Sequence, residues 1–257
     1  MLFISDVHHG LDSLKLLPET KEPIVILGDL INWIDYRNGD GIANDVFGDE
    51  NLNKLVQLRK DHNFDERKSL WNELFAKDPK GKQQEIEDAI ERQYKEVFEI
   101  LKDYEVWMIP GNVDSLKIFE AVKTNNVNNV DGQVIEYKNQ KIGFAGGGVP
   151  TPIKARGEIS EEDFEDKLNK LVDVDIICTH APPLIDNLII DVITNKKEQG
   201  WESLKKYILV NKPKLSLFGD VHQPKATRWM LGKTQCINVG YNRASKKYIH
   251  LKELING

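Results

Sequence analysis

The sequence predicts an α/β fold with a ligand site at one edge of a sheet. Short apolar runs that end in clusters of Asp, His, Asn and Gly recur along the chain, and such runs are typical of buried strands. Helical patterns separate several of the runs, and strands that alternate with helices indicate an α/β sheet. Ligands of these sheets bind beyond the carboxyl ends of the strands, where the polar clusters occur here.

Each predicted strand leads directly into one polar cluster. The strands and the residues that follow them are Leu2–Ser5 before Asp6, Ile24–Leu27 before Gly28 and Asp29, Val106–Ile109 before Pro110, Gly111 and Asn112, Val174–Cys178 before Thr179 and His180, and Leu215–Phe218 before Gly219, Asp220, Val221 and His222. Helical patterns lie between them at Leu11–Leu17 and Glu161–Leu171. Residues 133–146 and 225–252 instead show short apolar runs and tight turns, which predict antiparallel strands that flank the sheet.

Residues 31 to about 104 interrupt this alternation and predict a helical insertion within a single domain that spans residues 1–257. One amphipathic helix is predicted over Lys82–Asp103, because apolar residues recur there at helical spacing. These residues are Ile86, Ile90, Tyr94, Val97 and Leu101. Shorter helices are predicted at Leu52–Lys60 and Arg67–Lys77, before the turn-forming residues Pro79–Gly81.

The composition of the 257 residues is that of an ordinary globular protein, with 40% hydrophobic and 30% charged residues. A net charge of -6 argues against binding of nucleic acid through bulk charge, but it allows a small phosphorylated substrate when a metal ion supplies positive charge. Cys178 and Cys236 cannot build a disulfide framework, and no apolar run reaches the roughly 18–20 residues of a membrane helix. With a strand predicted from Leu2, which leaves no room for a signal peptide, we expect a cytoplasmic protein without membrane contact.

The polar clusters contain the residue types that bind divalent cations. Asp6 and His8 are two positions apart and can point to the same side. The residues that can converge with them are Asp29, Asn112, His180, Asp220 and His222. Carboxylate, imidazole and amide ligands suit Mn²⁺, Fe²⁺, Zn²⁺ or Ni²⁺, and the absence of a cysteine among them argues against a structural zinc site. Any one of these residues alone could be a strand-end cap; their recurrence after five strands indicates a metal site.

The motifs, in their order and strand context, resemble those of the calcineurin-like metallophosphoesterases. That family's pattern is D-x-H, G-D, G-N-H-D/E, H and G-H-x-H. The corresponding segments here are Asp6-Val7-His8, Gly28-Asp29, Gly111-Asn112-Val113-Asp114, Thr179-His180 and Gly219-Asp220-Val221-His222. The resemblance spans residues 1 to about 240, apart from the insertion. It implies a two-layer β-sandwich flanked by helices, with two metal ions at one edge.

The resemblance also implies a role for each ligand. Asp6, His8, Asp29 and His222 would bind the first ion. The second would share Asp29 and add Asn112, His180 and, if it substitutes for the family's His rather than being a solvated turn residue, Asp220. The implied activity is hydrolysis of a phosphate ester through attack of a metal-bridging hydroxide on phosphorus. Asp29, Asn112 and His180 would be catalytic, and Asn112 would also contact the substrate. We favour a phosphodiester slightly over a monoester, because a small chain without the family's usual His resembles the phosphodiesterase-like branch.

Two positions depart from the family pattern. Val113 stands where a His usually contacts the substrate and assists the leaving group, and valine cannot donate a proton. Asp220 replaces the first His of G-H-x-H, and its harder oxygen ligand should shift the metal preference toward Mn²⁺ or Mg²⁺. We therefore expect two divalent ions, with Mn²⁺ favoured over Fe²⁺, Zn²⁺, Ni²⁺ and Mg²⁺. His9 could replace the missing acid, or it could be a surface residue at the start of a helix.

Further residues could contact the substrate. Asn32, three residues after Asp29, could reach a phosphate or cap a turn. Arg156 follows the Gly146–Gly148 loop and could bind a phosphate, with a solvated surface position as the alternative. Arg37 and His62 in the insertion are candidate specificity residues.

A second hypothesis is a binding or scaffold protein on a decayed metallophosphoesterase fold. Val113 and Asp220 motivate it, whereas retention of the other metal ligands argues against it. The helix predicted at Lys82–Asp103 could line a homo-oligomer or could pack within the chain.

Overall fold

Two mixed β-sheets pack face to face, and helices cover both outer sides. The computed structural model describes residues 1–35, 39–61, 63–151, 154–193 and 195–255. Arg37 and His62, the candidate specificity residues of the insertion, lie outside the described residues.

The first sheet carries three of the strands that lead into predicted ligands. Within the described residues its strand order is β11-β1-β2-β3-β4. The strands are β1 (Leu2–Ile4), β2 (Ile24–Ile26), β3 (Val106–Met108), β4 (Val127–Asn129) and β11 (Ile249–His250). Strands β1 to β4 are parallel, with Phe3 opposite Val25 and Val25 opposite Trp107, and β11 is antiparallel to β1. The parallel arrangement brings the carboxyl ends of β1, β2 and β3 to the same edge.

The second sheet carries the remaining two ligand-bearing strands. Its order in the described part of the chain is β5-β6-β7-β8-β10-β9. The strands are β5 (Val134–Tyr137), β6 (Gln140–Ala145), β7 (Ile176–Thr179), β8 (Leu215–Phe218), β9 (Arg228–Leu231) and β10 (Thr234–Asn238). The inner four strands are parallel, and the outer strands β5 and β9 pair antiparallel with β6 and β10. The antiparallel pairing predicted for residues 133–146 and for the start of 225–252 is thereby confirmed.

Alternate residues of the strands bury opposite faces of each sheet. In β1, Phe3 lies in the core between the two sheets, whereas Leu2 and Ile4 lie in the core beneath the helices of the first sheet. In β7, Cys178 faces the first sheet and Ile177 faces the helices on the other side. This period of two is expected for strands buried on both faces. The layers confirm the predicted α/β fold and the two-layer β-sandwich flanked by helices.

Helices occupy most of the chain between β2 and β3. Those described are α2 (Ile42–Phe47), α3 (Asp49–Lys60), α4 (Phe64–Ala76) and α5 (Pro79–Ile100). The apolar stripe predicted on the last of them is buried against the first sheet, so it is a packing face. The prediction of Lys82–Asp103 placed both ends of this helix three residues late, since it begins at Pro79 and ends at Ile100. Proline is favoured at the first position of a helix, and Pro79 occupies it here. The Asp78 side chain caps the helix by accepting a hydrogen bond from Gly81 N at 3.0 Å.

The other helices connect or cover the strands. They are α1 (Leu11–Leu14), α6 (Leu116–Val122), α7 (Glu161–Lys170), α8 (Asp186–Ile189), α9 (Glu202–Asn211), α10 (Asn242–Ser245) and α11 (Leu251–Ile255). Helix α1 ends three residues before the predicted Leu17. In the described ranges, no helix is both long and apolar enough to cross a membrane.

Candidate metal centre

The predicted ligands lie at the carboxyl ends of five strands, where the edges of the two sheets meet. The first group of ligand atoms comes from Asp6, His8, Asp29 and His222. His8 Nε2 lies 3.2 Å from His222 Nε2, 3.5 Å from Asp29 Oδ2 and 3.9 Å from Asp6 Oδ1. His222 Nε2 lies 3.6 Å from Asp6 Oδ1. Ligands about 2.1 Å from one cation are roughly 3.0–3.4 Å apart in octahedral or tetrahedral geometry. The atoms of Asp6, His8 and His222 all lie within 4.8 Å of one another, close to that spacing, and Asp29 Oδ2 approaches this group beside His8.

A second group of ligand atoms shares Asp29 with the first. Asp29 Oδ1, the oxygen that does not face His8, lies 3.6 Å from His180 Nε2. His180 Nε2 is also 3.6 Å from Asp220 Oδ1. Asp6, Asp29 and His180 each present a ligand atom within 4.8 Å of the other two. Asp220 therefore lies beside His180, as the sequence pattern predicts for the position of the family's first His.

Three of the candidate ligand atoms are buried without a hydrogen-bond partner among the described residues. They are Asp6 Oδ1, Asn112 Oδ1 and His180 Nε2. A buried polar atom left unpaired is unfavourable, and native proteins pair such atoms or use them. Cations bound to the two groups would satisfy all three. The donor set and these unpaired atoms therefore fit divalent metal ions.

Backbone carbonyls orient two of the imidazole rings. His180 Nδ1 donates to the Leu27 carbonyl at 2.7 Å, and His8 Nδ1 donates to the Ile31 carbonyl at 3.2 Å. A proton fixed on Nδ1 leaves Nε2 free to accept a metal ion. Both Nε2 atoms face the ligand clusters.

Comparison with known proteins agrees with this geometry. A family model described as calcineurin-like phosphoesterase matches residues 1–224. The chain belongs to the calcineurin-like phosphoesterase family. It is also 30% identical over 117 residues to MJ1162 of Methanocaldococcus jannaschii, described as an uncharacterized protein. That alignment covers 42% of this chain and 51% of the relative, so the chain spans about half the length of the curated relative it matches.

Membership of the calcineurin-like phosphoesterases, together with the ligand clusters, supports a metal-dependent phosphoesterase. The family motifs contain glycines where other residues would displace ligands. A Cβ on Gly111 would lie 2.1 Å from Asp29 Oδ1. A Cβ on Gly28, whose φ is +96°, would lie 2.6 Å from His180 Nδ1. Glycine is required at both positions because the ligand side chains occupy the space of a Cβ.

Several ligands have a strained backbone. The φ angles of Asp6, His8, Asp29 and Asp220 are 55°, 41°, 57° and 64°, in the left-handed region. Non-glycine residues in this region cost about 1–3 kcal/mol each and persist only where surrounding contacts hold them. This backbone conformation directs the ligand atoms of these side chains toward one another at the ends of the strands.

Burial and neighbouring charges shift the pKa values of Asp29 and His180. Burial raises the pKa of the Asp29 carboxyl to about 8, against the attraction of His180. For His180, burial alone would lower the pKa, but the carboxylates of Asp29 and Asp220 outweigh it and raise the pKa well above its usual range. Both pKa values are raised, so the buried Asp29 and His180 side chains hold protons more readily when no cation is bound.

The ligands of the first group behave differently. Burial and the charge of His222 lower the pKa of His8 to about 3, so its imidazole is neutral and able to bind metal at pH 7. Burial would raise the pKa of Asp6, but the neighbouring imidazole of His222, 3.6 Å away, holds it at about 2. Asp6 is therefore ionised at neutral pH.

Asp114 connects the loop that contains Asp29 to the loop that contains Gly111 through hydrogen bonds. This role was not predicted from the sequence. The buried Asp114 carboxylate accepts hydrogen bonds from the backbone N–H groups of Asp29 at 2.8 Å, Leu30 at 3.1 Å and Gly111 at 2.8 Å. The Tyr94 hydroxyl of α5 donates to the same carboxylate at 3.1 Å. Asp114 occupies the last position of the family's G-N-H-D/E motif, so the motif itself was the available signal. The contact with Tyr94 had no local sequence signal.

Val113 is partly buried and packs against the core beneath the helices of the first sheet. Its backbone N–H donates to Asp29 Oδ1 at 3.0 Å. The residue thus contributes a hydrogen bond to the shared ligand, while its side chain carries no proton to give a leaving group.

The remaining candidates lie around the ligand clusters. His9 Nε2 lies 2.6 Å from Glu96 Oε2 of α5, on the surface. Asn32 is buried and its side chain donates to Asp40 at 3.2 Å. Arg156 is exposed, and the adjacent Gly157 N donates to the Asn112 carbonyl at 2.9 Å, so Arg156 is next to a segment that contacts a ligand loop. The roles of His9, Asn32 and Arg156 in catalysis or substrate binding stay predictions.

Proposed function

We propose that this protein is a dinuclear metal-dependent hydrolase of phosphate esters, with phosphodiesters slightly favoured over monoesters. The observation that carries the proposal is the arrangement of Asp29. Its Oδ2 lies 3.5 Å from His8 Nε2 and its Oδ1 lies 3.6 Å from His180 Nε2. A carboxylate with its two oxygens directed at different imidazoles is suited to bridge two cations.

The residues divide into two ligand sets that share this carboxylate. Asp6, His8 and His222 would complete the first site, and Asn112, His180 and Asp220 would complete the second. When bound, two divalent ions supply an activated water and neutralise charge on the phosphoryl group. We favour Mn²⁺ because Asp220 adds a hard oxygen to the second site.

The side chains have further tasks in this reaction. Asp6 holds its negative charge at neutral pH, and His8 stays neutral, so both are in the ionisation state that binds cations. Asn112 is a neutral ligand: its buried amide oxygen would bind the cation, and its NH2 group could donate to a phosphate oxygen. The exposed Arg156 could contact a second charged group of a small phosphorylated substrate. Val113 leaves the leaving group without a proton donor at that position, which favours substrates with good leaving groups.

The alternative of a non-catalytic binding or scaffold protein is motivated by Val113 and Asp220. It has less support, because a decayed site has no need to keep ligand atoms that are buried and unpaired. Asp6 Oδ1, Asn112 Oδ1 and His180 Nε2 are such atoms within the described residues.

The test is hydrolysis of bis(p-nitrophenyl) phosphate and of p-nitrophenyl phosphate by the full chain. Mn²⁺, Mg²⁺, Ni²⁺ and Zn²⁺ are added in turn after treatment with a chelator. We expect metal-dependent turnover of both esters, highest with Mn²⁺ and faster for the diester. If the protein binds metal in a calorimeter but turns over neither ester with any metal, the result would favour the binding or scaffold function.

A further inference from the structure

The turn that presents Asp6 and His8 adopts a disfavoured backbone. Asp6, His8 and His9 have φ angles of 55°, 41° and 56°. Three residues with left-handed φ angles within four positions are unfavourable on their own, because such conformations persist only when surrounding contacts fix them. Three fixing contacts come from the neighbouring ligand loop: Asp6 N donates to the Gly28 carbonyl at 3.1 Å, His8 N to the Asp29 carbonyl at 2.8 Å and His9 N to the Leu30 carbonyl at 2.7 Å.

The carbonyl groups of the same turn are held by Arg243 of α10. The Arg243 backbone N–H donates to the Asp6 carbonyl at 3.2 Å, and its Nη1 donates to the His8 carbonyl at 3.0 Å. The adjacent Tyr241 stacks on the ring of His222, with ring centroids 3.8 Å apart and an interplanar angle of 2°. This segment lies beyond residue 224, where the match to the family model ends.

The other side of the Arg243 guanidinium contacts the chain that follows Asp29. Arg243 Nη2 donates to Asp40 Oδ2 at 2.6 Å, and Nη1 lies 4.0 Å from Asp35 Oδ2. Asp40 Oδ1 in turn accepts a hydrogen bond from the Asn32 side chain at 3.2 Å. With only 19% of its side chain exposed, Arg243 joins the turn that carries Asp6 and His8 to the loop that follows the shared ligand.

We propose that Arg243 is a positioning residue that holds Asp6 and His8 in the backbone conformation that binds the first cation. The inference rests on the proposed function, since it concerns the same metal site. Arginine suits the task because its planar fork donates to a carbonyl with one nitrogen and to a carboxylate with the other, whereas lysine has a single nitrogen. Outer-shell partners of this kind set how tightly the ligands bind a metal.

The experiment is calorimetric titration of the full chain with Mn²⁺ alone, without substrate. Arg243→Gln and Arg243→Lys are compared with the unaltered protein. The matched control is Lys82→Gln on α5: Lys82 Nζ also donates to a carbonyl, of Val46 at 3.0 Å, and to a carboxylate, of Glu85 at 2.7 Å, and its side chain is 27% exposed. We expect Arg243→Gln to raise the Kd for Mn²⁺ by about 10- to 100-fold, Arg243→Lys to raise it less, and Lys82→Gln to leave it unchanged.

A purely structural role for Arg243 would lower the unfolding temperature and leave the Kd of the folded protein unchanged. An unchanged Kd in Arg243→Gln, or an equal rise in Lys82→Gln, would therefore overturn the inference while the proposed function stands. Where Arg243→Gln does not fold by circular dichroism, Arg243→Lys decides between the same outcomes. Absence of Mn²⁺ binding by the unaltered protein would instead overturn the proposed function, and the inference with it.

Discussion

At the scale of single residues, Asp29 is the candidate ligand that approaches both clusters. Its position is set from three directions: Asp114 accepts from its backbone N–H, the Val113 N–H donates to its Oδ1, and Gly111 leaves room for its carboxylate. Asp220 has a peripheral position by comparison, since its Oδ1 lies 3.6 Å from His180 and its backbone N–H donates to Asp6. Substitutions of these two aspartates should therefore differ in effect.

We predict that Asp29→Asn lowers turnover far more than Asp220→Asn. The amide keeps one oxygen and replaces the other with a donor, so it cannot bridge two cations. Loss of an outer-shell partner costs about 10- to 100-fold, and loss of the bridging ligand should cost at least about 100-fold. Turnover of bis(p-nitrophenyl) phosphate and the number of Mn²⁺ ions bound give the measurement. Equal losses in two folded variants would contradict the bridging assignment.

The raised pKa of Asp29 predicts that metal binding releases protons. Burial raises the pKa of Asp29 to about 8 and the carboxylates raise that of His180, so this pair holds protons at pH 7 that a metal ion must displace. The apparent affinity for Mn²⁺ should therefore fall as the pH falls below 8, by up to about tenfold per unit for each proton released. Titrations at pH 6.5 in two buffers of different ionisation enthalpy should show release of about one proton or more, and fewer at pH 9. Heats independent of the buffer would count against this prediction.

His9 stays the candidate for the general acid that protonates the leaving group, because Val113 cannot donate a proton. An acid matters for an alkoxide leaving group and hardly for p-nitrophenolate, and general acid catalysis contributes about 100- to 10,000-fold. We predict that His9→Ala slows an alkyl phosphodiester at least about tenfold more than an aryl one. The control is His250→Ala, whose imidazole also pairs with a glutamate, Glu22, at 3.1 Å. If His9→Ala slows both esters equally, or neither, His9 is not the acid.

At the scale of elements, α5 supports the ligand loops. Three of its residues, within one turn of the helix, contact three different segments near the site. The Gln93 side chain accepts from Asn32 N at 2.7 Å, Tyr94 donates to Asp114, and Glu96 pairs with His9. The helix that was predicted from its apolar stripe therefore packs against the first sheet and also presents polar groups to the loops at the sheet edge.

We predict that Tyr94→Phe lowers both stability and Mn²⁺ affinity. The lost hydroxyl donates to Asp114 and accepts from Ser115 N at 2.9 Å, and leaving buried partners unsatisfied costs about 1–3 kcal/mol. Tyr207→Phe is the matched control, because the Tyr207 hydroxyl is buried and donates to the Leu171 carbonyl in the core behind the second sheet. Both variants should unfold at lower temperature, and only Tyr94→Phe should bind Mn²⁺ more weakly. Equal affinities would mean that α5 supports the fold alone.

At the scale of the whole molecule, the candidate ligands come from both sheets, so a bound metal ion would join the two layers. Asp6 and Asp29 follow strands of the first sheet, and His180 and His222 follow strands of the second. Binding to the folded state alone stabilises a protein by about 2.7 kcal/mol at a concentration of 100 times the Kd.

For a chain of this length we therefore predict that Mn²⁺ at that concentration raises Tm by about 5–10 °C. Scanning calorimetry with and without Mn²⁺ gives the measurement. Asp29→Asn should show little or no rise. A similar rise in that variant would indicate binding elsewhere on the protein.

The sequence by itself determined the α/β class, the ligand-bearing strand ends and the residues that meet there. These features are local: an apolar run followed by Asp, His or Asn specifies both a buried strand and the chemistry at its end. The long amphipathic helix was also predicted from its apolar stripe, with both ends placed three residues late. Family membership followed from the order of the motifs, since five of them have to occur in sequence.

Only the tertiary structure decided which side chains support the ligands. Arg243 contacts the His8 carbonyl across 235 positions of sequence, and Tyr94 contacts Asp114 from within the insertion. Neither contact follows from spacing along the chain, because it depends on how α10 and α5 pack against the edge of the first sheet. The orientation of the Asp29 carboxylate also depends on packing. The sequence identifies the residue as a candidate ligand, but the packing of loops from the two sheets directs its two oxygens toward different imidazoles.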